Sequence, residues 1–128
     1  MSMNSVNTGV VLFAHGSRDP LWRLPVEAVA QQMQRTRADL PVCCAYLELC
    51  EPDLPTAAAQ LLAEGCNAIR IVPLFLGVGK HAREDLPMLV AALRQQHPQV
   101  AFALQSAVGE DPRLIALMAE LAMPAEPA

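Results

Sequence analysis

The chain has 128 residues and a formal net charge of −4, with 53% hydrophobic and 17% charged residues. That length buries a core without help from disulfides or a structural metal. A charged share below the usual quarter excludes disorder for all but the ends and points to apolar surface covered by a partner subunit. With an acidic balance and one Trp, one Tyr and three Phe, the chain carries no nucleic-acid or anionic-membrane footprint and no base-stacking platform.

In chain order, the first element is a short apolar run at 9–14, followed by a helical stripe of Trp22, Val26, Val29, Ala30 and Met33. A second run at 42–47 precedes Leu54, Ala57, Ala58, Leu61 and Leu62, with Gly65 as the helix cap. A third run at 68–76 leads to Leu86, Leu89, Val90 and Leu93, and a fourth at 100–104 to Leu114, Leu117, Met118 and Leu121. Pro41 and Pro98 stop helices, and Asp111-Pro112 reads as an N-cap with proline at the first helical position. Continuous apolar runs of this length suit strands buried on both faces of a parallel sheet.

The alternation implies one α/β domain over 1–128, with 1–8 and 123–128 frayed. Its architecture is a flavodoxin-like, four-stranded parallel sheet of order 2-1-3-4 with helices on both faces. Ligands in such sheets bind beyond the carboxyl ends of the strands, where the strand order reverses. Here that point lies between strands 1 and 3.

Cys43, Cys44, Cys50 and Cys66 form no C-x-x-C pair, and the adjacent pair would face opposite sides of a strand. No basic-then-apolar leader and no apolar stretch long enough to span a bilayer is visible. The expectation is a cytoplasmic protein with reduced, mostly buried thiols, the alternative being a thiolate metal site.

The loops at the switch point concentrate the chemistry. A-H-G-S-R-D-P after strand 1 carries His15 and Arg18, and G-V-G-K-H-A-R-E-D-L-P after strand 3 carries Lys80, His81 and Arg83. Two imidazoles at the two lips of one cleft suit a borderline divalent metal. A helix N-terminus disfavours imidazolium, which keeps His81 available as ligand or base. After strand 2, E-L-C-E-P places Glu48 at the end of an apolar run, where a carboxylate is costly unless paired or functional. Glu51 reads as a solvated helix-start charge and His97 as structural. Arg18, Lys80 and Arg83, with Arg23 nearby, point to a polyanionic ligand. Gly16, Gly77 and Gly79 permit close backbone approach.

The segments LFAHGSRDP (12–20), YLELCEPDLP (46–55), IRIVPLFLGVGKHAREDLP (69–87) and SAVGEDPRL (106–114) closely resemble the small class II tetrapyrrole chelatases. These are the CbiX-type sirohydrochlorin cobaltochelatases and the related sirohydrochlorin ferrochelatases. The resemblance covers roughly residues 9 to 121. It implies insertion of a divalent metal (Co²⁺, Fe²⁺ or Ni²⁺) into sirohydrochlorin, in cobalamin or sirohaem biosynthesis, with no organic cofactor. It assigns metal handling to His15 and His81, and the family glutamate to Glu48 as proton acceptor or ligand. Lys80 stands where a glycine is usual, and the histidine-rich insertion of some short members is absent. The longer relatives resemble two such domains in one chain, which implies a homodimer with its two metal-binding edges facing a shared cavity. The competing readings are a non-enzymatic metal or tetrapyrrole carrier using the same histidines, and phosphoryl transfer.

Overall fold

A computed structural model describes residues 5–125 of the chain. The strands are β1 (Thr8–Ala14), β2 (Val42–Tyr46), β3 (Ala68–Pro73) and β4 (Ala101–Leu104). The helices are α1 (Leu24–Thr36), α2 (Leu54–Ala63), α3 (Lys80–Gln96) and α4 (Pro112–Ala122). Every strand pair is parallel and the order is β2-β1-β3-β4. The expected α/β sheet and its 2-1-3-4 order are therefore what the chain adopts, and the reversal of strand order lies between β1 and β3.

Alternation along the strands divides the core between the two faces of the sheet. Val11, Phe13, Ala45, Ile69, Ile71 and Phe102 pack against Leu54, Ala57, Ala58 and Leu61 of α2 and Leu86, Val90 and Leu93 of α3. Each large apolar side chain withdrawn from water there contributes roughly 1.5–3 kcal/mol. On the other face Val10, Leu12, Ala14 and Tyr46 meet Val26, Ala30 and Met33 of α1. β1 is buried on both sides from Gly9 to Ala14, as its uninterrupted apolar run requires. Gly65 closes α2 with a positive φ of 97° and donates to the Leu62 carbonyl, and Asp111 caps α4 by accepting from the Arg113 amide at 2.8 Å.

Three expectations change. The run at 68–76 gives a strand only to Pro73; the Leu74 amide still reaches the Phe13 carbonyl, but Phe75 is bonded by Gly109 from the loop after β4. Trp22 lies in a 3-10 turn (Pro20–Arg23) before α1 rather than on that helix. The stripe of α4 is not buried: no residue of α4 is, and Ile115, Leu117 and Leu121 stay exposed. α4 stands beside the sheet instead of lying on it, so β3 and β4 leave Arg70, Ala101 and Ala103 open on the α1 face. The frayed ends expected at 1–8 and 123–128 fall partly outside the described residues. Within them, Thr8 opens β1, and the Asn7 amide donates to the Asn67 side chain at 2.8 Å. Among the described residues no helix is long and apolar enough to cross a membrane.

Candidate functional site

The parallel ladder between β1 and β2 outlasts the strands themselves. Beyond Ala14 and Tyr46, the Leu47 amide donates to the Ala14 carbonyl at 2.9 Å and the Glu48 amide to the His15 carbonyl at 3.1 Å. The next residue, Gly16, turns away with φ 105°, and a Cβ there would lie 1.8 Å from the Glu48 carbonyl oxygen. Only glycine permits this crossing. His15 and Glu48 are thereby set side by side, with imidazole Nε2 3.5 Å from the carboxylate Oε1. Both side chains are more than half exposed, at 57% and 56%, so water and ligands reach the pair. Leu49 follows with φ 70°, a left-handed conformation that costs a branched residue about 1–2 kcal/mol. Backbone strain of this kind clusters at functional sites.

The loop after His15 is tied down by its own side chains. Ser17 Oγ accepts from the Asp19 amide at 3.1 Å, and Asp19 Oδ1 accepts from the Leu21 amide at 3.0 Å, capping the 3-10 turn. Trp22 stands edge-on to Tyr46 at 6.1 Å. Arg18 is exposed on this turn.

On the other side of the reversal point, β3 leads through Leu74–Val78 to Gly79, the N-cap of α3, which makes no side-chain cap bond. Lys80 and His81 occupy the first helical turn, and Arg83 donates its amide to the Gly79 carbonyl at 3.0 Å. The side chains of Lys80, His81 and Arg83 are exposed, and α3 continues through Pro87. Among the described residues, Arg18, Lys80 and Arg83 enter no ion pair. Their charge is not consumed by Asp19, Glu84 or Asp85.

The expected convergence of the two histidine loops is met in part. His15 and Glu48 form a close pair, but no three His, Cys, Asp or Glu side chains among the described residues stand close enough to hold a metal together. His81, in the first turn of α3, does not join that pair as a third ligand. The nearest cleft, of about 750 Å³, is lined by Glu48, Leu49, Cys50, Glu51, Pro52 and Asp53 with the β2 thiols, and neither histidine lines it. The imidazoles face open surface instead.

Burial disfavours the thiolate form at three of the four cysteines. Burial pushes Cys44 up to about 11, with Cys43 and Glu27 adding to the effect, and burial also raises Cys43 and Cys66. All four are free cysteines, and a protonated thiol is a poor ligand. His97 caps the end of α3 and stands 6.2 Å from the Phe102 ring, in keeping with a structural role.

Sequence reasoning passed over Phe75. Its ring is buried and stands 6.2 Å from both Phe13 and His15, edge-on to each. The available signal was an aromatic residue placed two positions beyond Pro73, at the end of an otherwise aliphatic run.

The sequence model of the CbiX family matches residues 9–124. A sirohydrochlorin cobaltochelatase of Methanopyrus kandleri is 36% identical over 81 residues, which are 63% of this chain and 57% of that protein. One from Sulfolobus acidocaldarius is 27% identical over 115 residues, 89% of each chain. Among solved structures, a cobalamin (vitamin B12) biosynthesis CbiX protein from Marinobacter aquaeolei VT8 superposes with a TM-score of 0.78 at 32% identity, covering 89% of this chain and 92% of that one. The sirohydrochlorin chelatase SirB of Bacillus subtilis, in complex with cobalt, shares the fold at TM-score 0.77 and 22% identity, and this chain matches 49% of its length.

Proposed function

The chain belongs to the CbiX family, and from that premise we propose that it inserts a divalent metal, cobalt, iron or nickel, into sirohydrochlorin. The observation that carries the reading is the His15–Glu48 pair at 3.5 Å on the carboxyl edge of β1 and β2, with a second imidazole and the cations Lys80 and Arg83 across the switch point and Arg18 on the near side.

The chemistry needs a loosely held metal, an acceptor for the two pyrrole protons that leave as M²⁺ enters, and a grip on a ring bearing many carboxylates. The neutral imidazoles of His15 and His81 present borderline nitrogen donors that bind such metals without trapping them. Glu48 stands where it can take a proton from the macrocycle or complete the metal shell. Its exposure leaves a path for the proton to water. Arg18, Lys80 and Arg83 pair with the substrate carboxylates. The metal is a substrate here, and no organic cofactor enters the scheme.

A flat macrocycle needs walls on two sides to be well buried, and the imidazoles face open surface. The functional unit in this reading is a homodimer with the two metal-binding edges facing a shared cavity. Exposed Leu21, Leu24, Leu76, Leu117 and Leu121 supply apolar area of the kind that subunit contacts cover. Light scattering at micromolar concentration should give twice the chain mass, and full activity from a monomer overturns the shared cavity.

The function is tested by anaerobic incubation with sirohydrochlorin and each metal in turn, followed by absorbance. Catalysed formation of the metallated product is expected with at least one of them. Tight binding of metal or tetrapyrrole without turnover would instead identify a carrier.

A further inference from the structure

The segment 106–110 follows β4 and contributes no ligand, base or substrate clamp to the scheme above, yet it is fastened to the site. The Gly109 amide donates to the Phe75 carbonyl at 2.9 Å. A Cβ on Gly109 would lie 1.9 Å from the Leu76 carbonyl oxygen and 2.4 Å from its carbonyl carbon and Cα. The atoms in the way are backbone and cannot swing aside, so the contact needs glycine. Glu110 and Asp111 close a short 3-10 turn onto the Ala107 and Val108 carbonyls, and Ala107 is buried in the same core cluster as Phe75. The backbone of Phe75 is therefore held between the end of β3 and this turn.

The ring it carries touches the site directly. Phe75 is 8% exposed, and its ring is edge-on to Phe13 at 76° and to His15 at 71°, with centroids 6.2 Å apart in both cases. Pairs of this geometry contribute beyond their buried area. His15 is otherwise more than half exposed, and an exposed side chain samples several rotamers unless something restrains it. Glu48 restrains it through Nε2, and Phe75 restrains it through the ring.

We propose that Phe75, anchored by Gly109, is a positioning residue that holds the His15 imidazole in the orientation that faces Glu48. This rests on the reading of His15 as a metal-handling residue. It gives the S-A-V-G-E stretch a part in the site although the proposed scheme uses none of its side chains.

A core aromatic serves as control. Phe102 is 7% exposed, belongs to the same cluster and stands beside His97 rather than His15. Phe75→Leu and Phe102→Leu should lose comparable thermal stability. Only Phe75→Leu should weaken binding of Co²⁺ alone, by about three- to tenfold, and broaden the distribution of His15 side-chain rotamers followed by NMR couplings. Gly109→Ala should reproduce the Co²⁺ defect where it folds, and the leucine variants decide the matter where it does not. Equal Co²⁺ affinities in the two leucine variants, or an unchanged His15 rotamer distribution in Phe75→Leu, overturn the proposal. If His15→Ala binds Co²⁺ as the parent does, the metal reading of His15 fails instead, and the NMR rotamer distribution still judges the positioning role.

Discussion

On the β1–β2 side of the switch point, the backbone ladder runs on past the strands, Gly16 crosses over Glu48, and Phe75 and Glu48 both touch the His15 ring. On the β3–α3 side, a Gly-Val-Gly turn with open space around both glycines delivers Lys80, His81 and Arg83 to solvent, with no capping side chain and, among the described residues, no ion pair. One lip is assembled before any ligand arrives, while the other offers charge and a nitrogen donor whose partners must come from outside. The difference fits two tasks. Orienting a metal and its proton acceptor needs fixed geometry, whereas gripping carboxylates spread around a macrocycle tolerates long, mobile cations.

The largest expected effect comes from removing either imidazole. His15→Ala and His81→Ala should each abolish catalysed metal insertion while leaving the circular dichroism spectrum and melting temperature near those of the parent, since both side chains are exposed. Near-normal turnover in a folded His81→Ala would overturn the two-histidine assignment and sharpen the comparison, leaving the open lip to gripping alone.

Next comes the carboxylate. Glu48 is held beside His15, while Glu51 sits three residues on, exposed at the entrance to α2. Glu48→Gln should lower turnover by about 10²–10⁴-fold, the range for a general base, with little change in tetrapyrrole binding. Glu51→Gln should do little. Steady-state rates with metal and macrocycle varied separately distinguish these outcomes, and equal behaviour of the two variants removes the special role of Glu48.

The sequence carried most of the fold because its signals are local. Four apolar runs, the buried stripes of α2 and α3, the partly buried one of α1, Gly65 and Asp111 each act over a few residues, and their alternation admits few topologies. It overstated α4, whose stripe of Leu114, Leu117, Met118 and Leu121 is as regular as the others but leaves Leu117 and Leu121 exposed and only half buries Leu114 and Met118. Periodicity reports that a face is apolar and not what covers it. At the site, the strand ends located His15, Glu48 and His81 correctly by element. The 3.5 Å approach of His15 to Glu48 depends on parallel register and on the Gly16 crossing, and the contact of Phe75 with His15 depends on a turn thirty-odd residues away at Gly109. Neither leaves a trace in spacing.

The smallest effect concerns the glycines of the two lips, and it tests the contrast without touching a reactive group. At Gly16 an added Cβ meets the Glu48 carbonyl oxygen at 1.8 Å, and φ is 105°. A side chain there has to adopt a sparsely populated conformation, which alone costs of the order of 1–3 kcal/mol. It must also push back the backbone that carries Glu48. Gly16→Ala should therefore lose about 3 kcal/mol or more, a fall in melting temperature of roughly 10 °C in a domain of this size. At Gly77 an added Cβ meets nothing within 4 Å, and φ is not positive. Gly77→Ala restricts the unfolded chain without straining the folded one, and should be neutral or stabilising by about 0.4–1 kcal/mol. Thermal denaturation of the two variants measures the difference directly. Comparable losses at both positions would mean that the β3–α3 turn is as tightly constrained as the His15–Glu48 crossing, and the division into a built lip and an open one would fall.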